Sequence, residues 1–128
     1  MGQKISVLVV EDEVLIRMDM VDFLRREGFE VFEAAHSAAA IEILERTPSI
    51  AIIFTDFDMP GTMDGLALAA AVRDRWPPVK IVVTSGHRTL EPTDLPDGGL
   101  FFSKPYRHDE IAAAFRELAS DADAGRAQ

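Results

Sequence analysis

Four short apolar runs, well separated along the chain, each lead into side chains that carry chemistry. VLVV runs into Glu11-Asp12, IAIIFT into Asp56, KIVV into Thr84-Ser85, and LFFS into Lys104-Pro105. A continuous β-branched apolar run marks a strand covered on both faces, the habit of parallel sheets flanked by helices. In such a sheet, residues just past the carboxyl ends of the strands meet in one crevice. The pattern therefore predicts a single pocket shared by three carboxylates, a hydroxyl and an amine.

The segments between these runs support a parallel sheet. Val14 to Glu27 carries a broad apolar stripe and reads as a helix, closed by Gly28, where a left-handed residue is cheap. Phe29 to Ala34 reads as a second strand. Ser37 is the expected N-cap of a short alanine-rich helix from Ala38 to Arg46, which Thr47-Pro48 ends. Ile50 to Thr55 is the third strand, followed by a loop with Pro60 and Gly61 as turn formers and a helix from Gly65 to Arg75. Lys80 to Thr84 and Leu100 to Ser103 are the last strands, and Arg107 to Ala119 forms a helix with Ile111, Phe115 and Leu118 on one face. Strands alternating with helices predict an α/β domain with right-handed crossovers. The exception is Ser85 to Gly99, where Pro92, Pro96 and Gly98-Gly99 interrupt any helical period and predict a short or disordered fourth helix.

The chain has 128 residues, enough for one domain, assigned to residues 1–119, with a polar C-terminal tail at 120–128 expected to fray. Cysteine is absent, so disulfides and thiolate metal sites are excluded. No apolar run approaches the ~20 residues a membrane span needs, and no leader pattern precedes the first strand, so a cytoplasmic protein is expected. Thirteen basic against 22 acidic residues leave a net charge of −9. With no basic stripe to override it, that charge argues against a nucleic-acid partner.

The strand-end residues suit a specific chemistry. A carboxylate such as Asp56 can attack phosphorus and form an acyl phosphate, given an in-line donor and a cation to neutralise the equatorial oxygens. Glu11, Asp12 and Asp56 offer hard oxygen ligands for Mg²⁺ while leaving room for water and a phosphate oxygen. Crowded without metal, at least one of these acids should hold its proton more tightly than a free carboxyl, though the sequence does not say which. Thr84 could donate to a phosphoryl oxygen, with Ser85 a weaker candidate for the same task. Lys104 ends a buried strand and needs an anionic partner; a cis bond to Pro105 would turn the chain and aim its ammonium inward. His36, His87 and His108 show no metal-ligand spacing, and no glycine-rich phosphate loop is present.

The pieces VLVVEDE, TDFDMPGTMDG, IVVTSG and FFSKPY, in that order and spacing, resemble the receiver domain of bacterial two-component response regulators. The resemblance spans Ile5 to about Ala119 and implies a flavodoxin-like, doubly wound five-stranded sheet in the order 2-1-3-4-5. It implies that Asp56 is the phosphoacceptor, served by a sensor histidine kinase or a histidine phosphotransfer protein. Glu11, Asp12, Asp56 and the backbone carbonyl of Asp58 would hold Mg²⁺. Thr84 would be the switch hydroxyl, Lys104 the partner of the phosphoryl oxygens, and Phe101 the switch aromatic. Asp58 and Gly86 occupy the positions that tune phosphoryl lifetime in this family. The loop around Gly61-Thr62 is one residue longer than usual, and its PG-x-MDG form is similar to receivers common in alphaproteobacteria, stand-alone or on hybrid kinases.

The expectation is a single-domain response regulator: a switch for partner binding, with an unknown downstream protein target, that catalyses only its own phosphorylation and slow dephosphorylation. The alternative is a phosphotransfer intermediate or phosphate sink. A hydrolase of the haloacid dehalogenase type shares the Asp56-Phe57-Asp58 spacing, but its motif lies near the N-terminus and its cap domain has no counterpart here. A pseudo-receiver that binds without phosphorylation sits poorly with a complete set of acid, hydroxyl and lysine.

Overall fold

The computed structural model of the chain describes residues 4–58, 65–86, 95 and 98–126, with side chains to residue 120. Five strands and four helices lie among the described residues: β1 (Ser6–Val10), α1 (Val14–Arg26), β2 (Glu30–Ala34), α2 (Ser37–Arg46), β3 (Ile52–Asp56), α3 (Gly65–Arg75), β4 (Lys80–Ser85), β5 (Leu100–Ser103) and α4 (His108–Arg126). The strands form one sheet in the order β2-β1-β3-β4-β5, with every pairing parallel.

The apolar runs of β1, β3 and β4 become the middle of the sheet because each is buried on both sides. All five residues of β1 and of β3 are buried, whereas the edge strand β2 buries only Val31 and Ala34 and the edge strand β5 is only half-buried. Alternate side chains feed two cores, as a pleat of period two requires. Leu8, Val10, Ile53, Ile81 and Val83 pack with Leu44 of α2 and Leu68, Ala69 and Val72 of α3. Val7, Val9, Ile52, Phe54 and Val82 pack on the other face with Met20, Val21 and Leu24 of α1 and Ile111, Ala112 and Phe115 of α4. Phe115 is fully buried and meets Phe29 and Phe54 edge-on, with ring centroids 5.8 and 5.6 Å away.

Helix α1 ends as its sequence predicts. Gly28 has φ +96°, its N–H donates to Arg25 O, and Phe29 N–H donates to Leu24 O, the paired bonds of a Schellman cap. Two expectations are corrected. His36, rather than Ser37, is the N-cap of α2: its Nδ1 accepts from Ala39 N–H at 3.1 Å, while Ser37 lies buried in the first turn. The backbone of α4 runs from His108 to Arg126, past the end expected at Ala119. Ala119, Ala122 and Ala124 are strong helix formers and favour that longer helix. The short or disordered fourth helix falls on residues 87–94, 96 and 97, outside the described residues, as do Pro60, Gly61 and Thr62.

Candidate functional site

Parallel pairing in register fixes which strand ends are neighbours. Val10 pairs with Thr55, Asp56 with Thr84, and Ser85 with Ser103, so Glu11, Asp56, Thr84 and Lys104 emerge side by side at the carboxyl rim. Glu11 and Asp56 remain 5% and 4% exposed, and Thr84 and Ser85 are buried with them. The carboxylates of Glu11, Asp12 and Asp56 each place an oxygen so that all three lie within 4.8 Å of one another. Lys104 Nζ donates to Asp56 Oδ2 at 2.9 Å and stands 3.7 Å from Glu11 Oε1. The Lys104–Pro105 bond is cis. A cleft of about 390 Å³ opens over this group, lined by Asp12, Asp56, Asp58, Gly86 and Lys104 among others.

The electrostatics name the acid that the sequence left open. Burial pushes the Glu11 carboxyl up to about 7, with the Asp56 charge adding to the rise, while the Glu13 N–H and the Lys104 ammonium oppose it. Burial pulls the Lys104 ammonium down, but the hydrogen bond and charge of Asp56, helped by Glu11, outweigh it and leave Lys104 above its usual value. One ammonium against three crowded carboxylates leaves the cluster short of positive charge. A hard divalent cation with oxygen ligands fits this donor set, and Mg²⁺ is such an ion.

Neighbouring groups hold the acids in place. Glu11 Oε2 accepts from Glu13 N–H at the start of α1, and Glu11 O accepts from Arg17 Nη1 at 2.8 Å, while Arg17 Nε pairs with Glu33 of β2. Asp56 Oδ1 accepts from Asp58 N–H at 3.0 Å. Gly65, the first residue of α3, is packed so closely on β3 that a Cβ there would lie 2.4 Å from Asp56 O and 2.6 Å from Phe57 Cα.

Three of these supports were not read from the sequence. Arg17 and Gly65 act through contacts that no spacing rule encodes, although a glycine opening a helix after an acidic strand end is a usable signal. The third is the Asp58 side chain. Its Oδ2 accepts from Ser85 Oγ at 3.0 Å and from Gly86 N–H at 3.2 Å, so the Ser85 hydroxyl is turned toward Asp58. Phe101 is half-buried on β5 opposite Val83 and packs against the α2–α3 core. His87 lies outside the described residues. His108 is paired with Asp19 at 2.9 Å and edge-on to Phe23.

Comparison with known proteins gives the fold and the rim a context. The family model of the response regulator receiver domain matches residues 7–116. An NtrX-like response regulator of Rickettsia bellii is 33% identical over 110 residues, covering 84% of this chain and 23% of that protein. The sensor kinase CckA of Brucella abortus is 34% identical over 125 residues, covering 92% of this chain and 13% of the kinase. The chain thus spans less than a quarter of the length of either relative. The crystal structure of a response regulator receiver protein from Sinorhizobium medicae superposes with a TM-score of 0.84 at 28% identity, covering 94% of this chain and 98% of that one.

Proposed function

This chain belongs to the response regulator receiver family, and on that premise we propose that Asp56 accepts a phosphoryl group from a protein phosphohistidine and that the modified domain switches a binding partner. The observation that carries this reading is Lys104 Nζ, 2.9 Å from Asp56 Oδ2, inside a cluster of three carboxylates at the sheet's carboxyl rim.

The chemistry follows from the groups in place. An oxygen of ionised Asp56 attacks the phosphorus of the phosphohistidine. The new P–O bond forms as the P–N bond breaks, and the electron pair leaves with the imidazole, which takes up a proton from solvent. Asp58 N–H and Lys104 hold the two Asp56 oxygens and so orient the carboxylate before attack. Afterwards the Lys104 ammonium is placed to pair with a phosphoryl oxygen, and Thr84, in register with Asp56 on the next strand, to donate to another. Glu11, Asp12, Asp56 and the carbonyl of Asp58 would hold Mg²⁺, which when bound neutralises charge on the phosphoryl oxygens. Phe101, on β5 beside β4, is assigned the switch aromatic's role, following Thr84 when that hydroxyl turns inward.

A protein donor suits the surroundings of the site. Val14, Leu15, Ile16 and Met18 of α1 are exposed beside the acids, Leu15 by 79%. Leu15 and Ile16, with Pro105, Tyr106 and His108, border a second, mostly apolar cleft of about 470 Å³ that Asp19 and Lys104 also line. Such a collar favours a protein surface carrying phosphohistidine over a small phosphorylated metabolite. Similarity to a stretch of the sensor kinase CckA supports a second reading, in which the phosphoryl group is relayed onward to a histidine protein. Return of label from the phosphorylated chain to a histidine phosphotransfer protein would mark that role.

Acetyl phosphate with Mg²⁺ tests the central reading. Wild-type protein should be retarded on a phosphate-affinity gel, and both Asp56→Asn and a chelator should abolish the retardation. A retarded Asp56→Asn protein would place the acceptor elsewhere.

A further inference from the structure

The Asp58 side chain has no task in the scheme above, which uses only its backbone, yet it is held by two hydrogen bonds from the end of β4. Its N–H is committed to Asp56 Oδ1, and its Oδ2 receives both Ser85 Oγ and Gly86 N–H from the end of β4. Those donors directly follow Thr84, whose own carbonyl accepts from Phe57 N–H at 2.7 Å. From the opposite side Lys104 N–H donates to Ser85 O at 2.9 Å, and the Lys104 stem lies across Gly86, with Cδ 3.5 Å from where a Cβ would stand. Thr84 to Gly86 is thus gripped between the loop that carries Asp56 and the strand end that carries Lys104.

We propose that the Asp58 carboxylate is a positioning group that latches Ser85 and Gly86 in the unphosphorylated arrangement, and that a phosphoryl group on Asp56 releases the latch. The proposal rests on Asp56 being the acceptor. A phosphoryl group brings up to about two negative charges and three acceptor oxygens. Placed on Asp56, it stands close to a carboxylate of the same sign and competes for the same donors. Hydrogen bonds to a carboxylate are roughly twice as strong as neutral ones, so the latch opposes the change until that competition is present. A contact made in only one of two states biases the equilibrium toward that state, and removing it favours the other.

Beryllofluoride with Mg²⁺, a mimic of the phosphoryl group, makes this measurable. Ser85→Ala removes one arm of the latch and changes no charge. It should bind beryllofluoride about tenfold more tightly than wild type, the scale set by one charge-assisted hydrogen bond. Asp58→Asn should also tighten binding, and the double variant should bind no more tightly than the better single one, because both substitutions break the same latch. In wild type the Gly86 amide proton, held by a carboxylate in the free protein, should shift upfield when beryllofluoride binds. Equal or weaker binding by Ser85→Ala overturns the proposal. Should that variant fail to fold, a Gly86 amide in wild type that stays unmoved with beryllofluoride bound does the same. A wild type that neither binds beryllofluoride nor labels at Asp56 removes the functional reading itself, whereas binding with an unmoved Gly86 removes only the latch.

Discussion

The interior of the sheet and its carboxyl rim are built from the same strands and obey opposite rules. Inside, Val7, Leu8, Ile52, Ile53, Ile81 and Val82 are wholly buried and apolar, and each gains free energy by leaving water. At the carboxyl ends of the strands, Glu11, Asp56, Thr84 and Ser85 are as deeply buried and polar. Burial there works against the charged form, which is why Glu11 holds its proton up to about 7. The interior supplies the stability that the rim consumes. A change inside should therefore cost fold and spare chemistry, and a change at the rim should do the reverse.

Phe115→Ala tests the interior half of that contrast and carries the largest expected effect. Removing a fully buried ring that meets Phe29 and Phe54 should cost about 3–5 kcal/mol of unfolding free energy, read from urea melts. The protein that remains folded should still label with acetyl phosphate. Loss of labelling in a folded Phe115→Ala protein would erase the distinction between the two regions.

The rim half is tested by pH. The folded Glu11 pKa is raised from 4.5 to about 7, so the folded state binds more protons than the unfolded chain between those values. Glu11's contribution is fully present below about 4.5 and is lost as pH rises to about 7. Metal-free protein should lose stability across that window, and Glu11→Gln should flatten the loss. Mg²⁺ needs the ionised carboxylate, so the gain in Tm on adding it should be larger at pH 8 than at pH 5.5. A metal effect independent of pH would take Glu11 out of the cation site.

The smallest effect is conformational. Gly28 has φ +96° with open space around its missing Cβ, so Gly28→Ala should cost about 1 kcal/mol through backbone strain alone and leave labelling untouched.

Much of this architecture could be read from the chain because its signals are local. The apolar runs of β1 and β3, the glycine after α1 and the alternation of strand and helix each depend on neighbours in sequence. The gathering of Glu11, Asp56 and Lys104 followed from one topological rule, that parallel strand ends share a rim. What escaped is pairwise and non-local. Asp58 meets Ser85 across 27 residues, and Gly65 presses on Asp56 O, through contacts that depend on the exact path of the loop. Two near-equivalent choices also went the other way. Ser37 is of a type that favours the cap, yet His36 beside it takes that place, and Ala119, Ala122 and Ala124 favour the helical backbone that runs past the end expected for α4.

The central claim is that a single carboxylate at the rim takes up the phosphoryl group. Borohydride reduction converts an aspartyl phosphate to homoserine, whose altered mass is located by peptide mapping. After treatment with acetyl phosphate and Mg²⁺, the conversion should fall on Asp56 alone and vanish with chelation. Homoserine at Asp12, Asp58 or another acid, or none anywhere under conditions that phosphorylate the protein, would contradict the account.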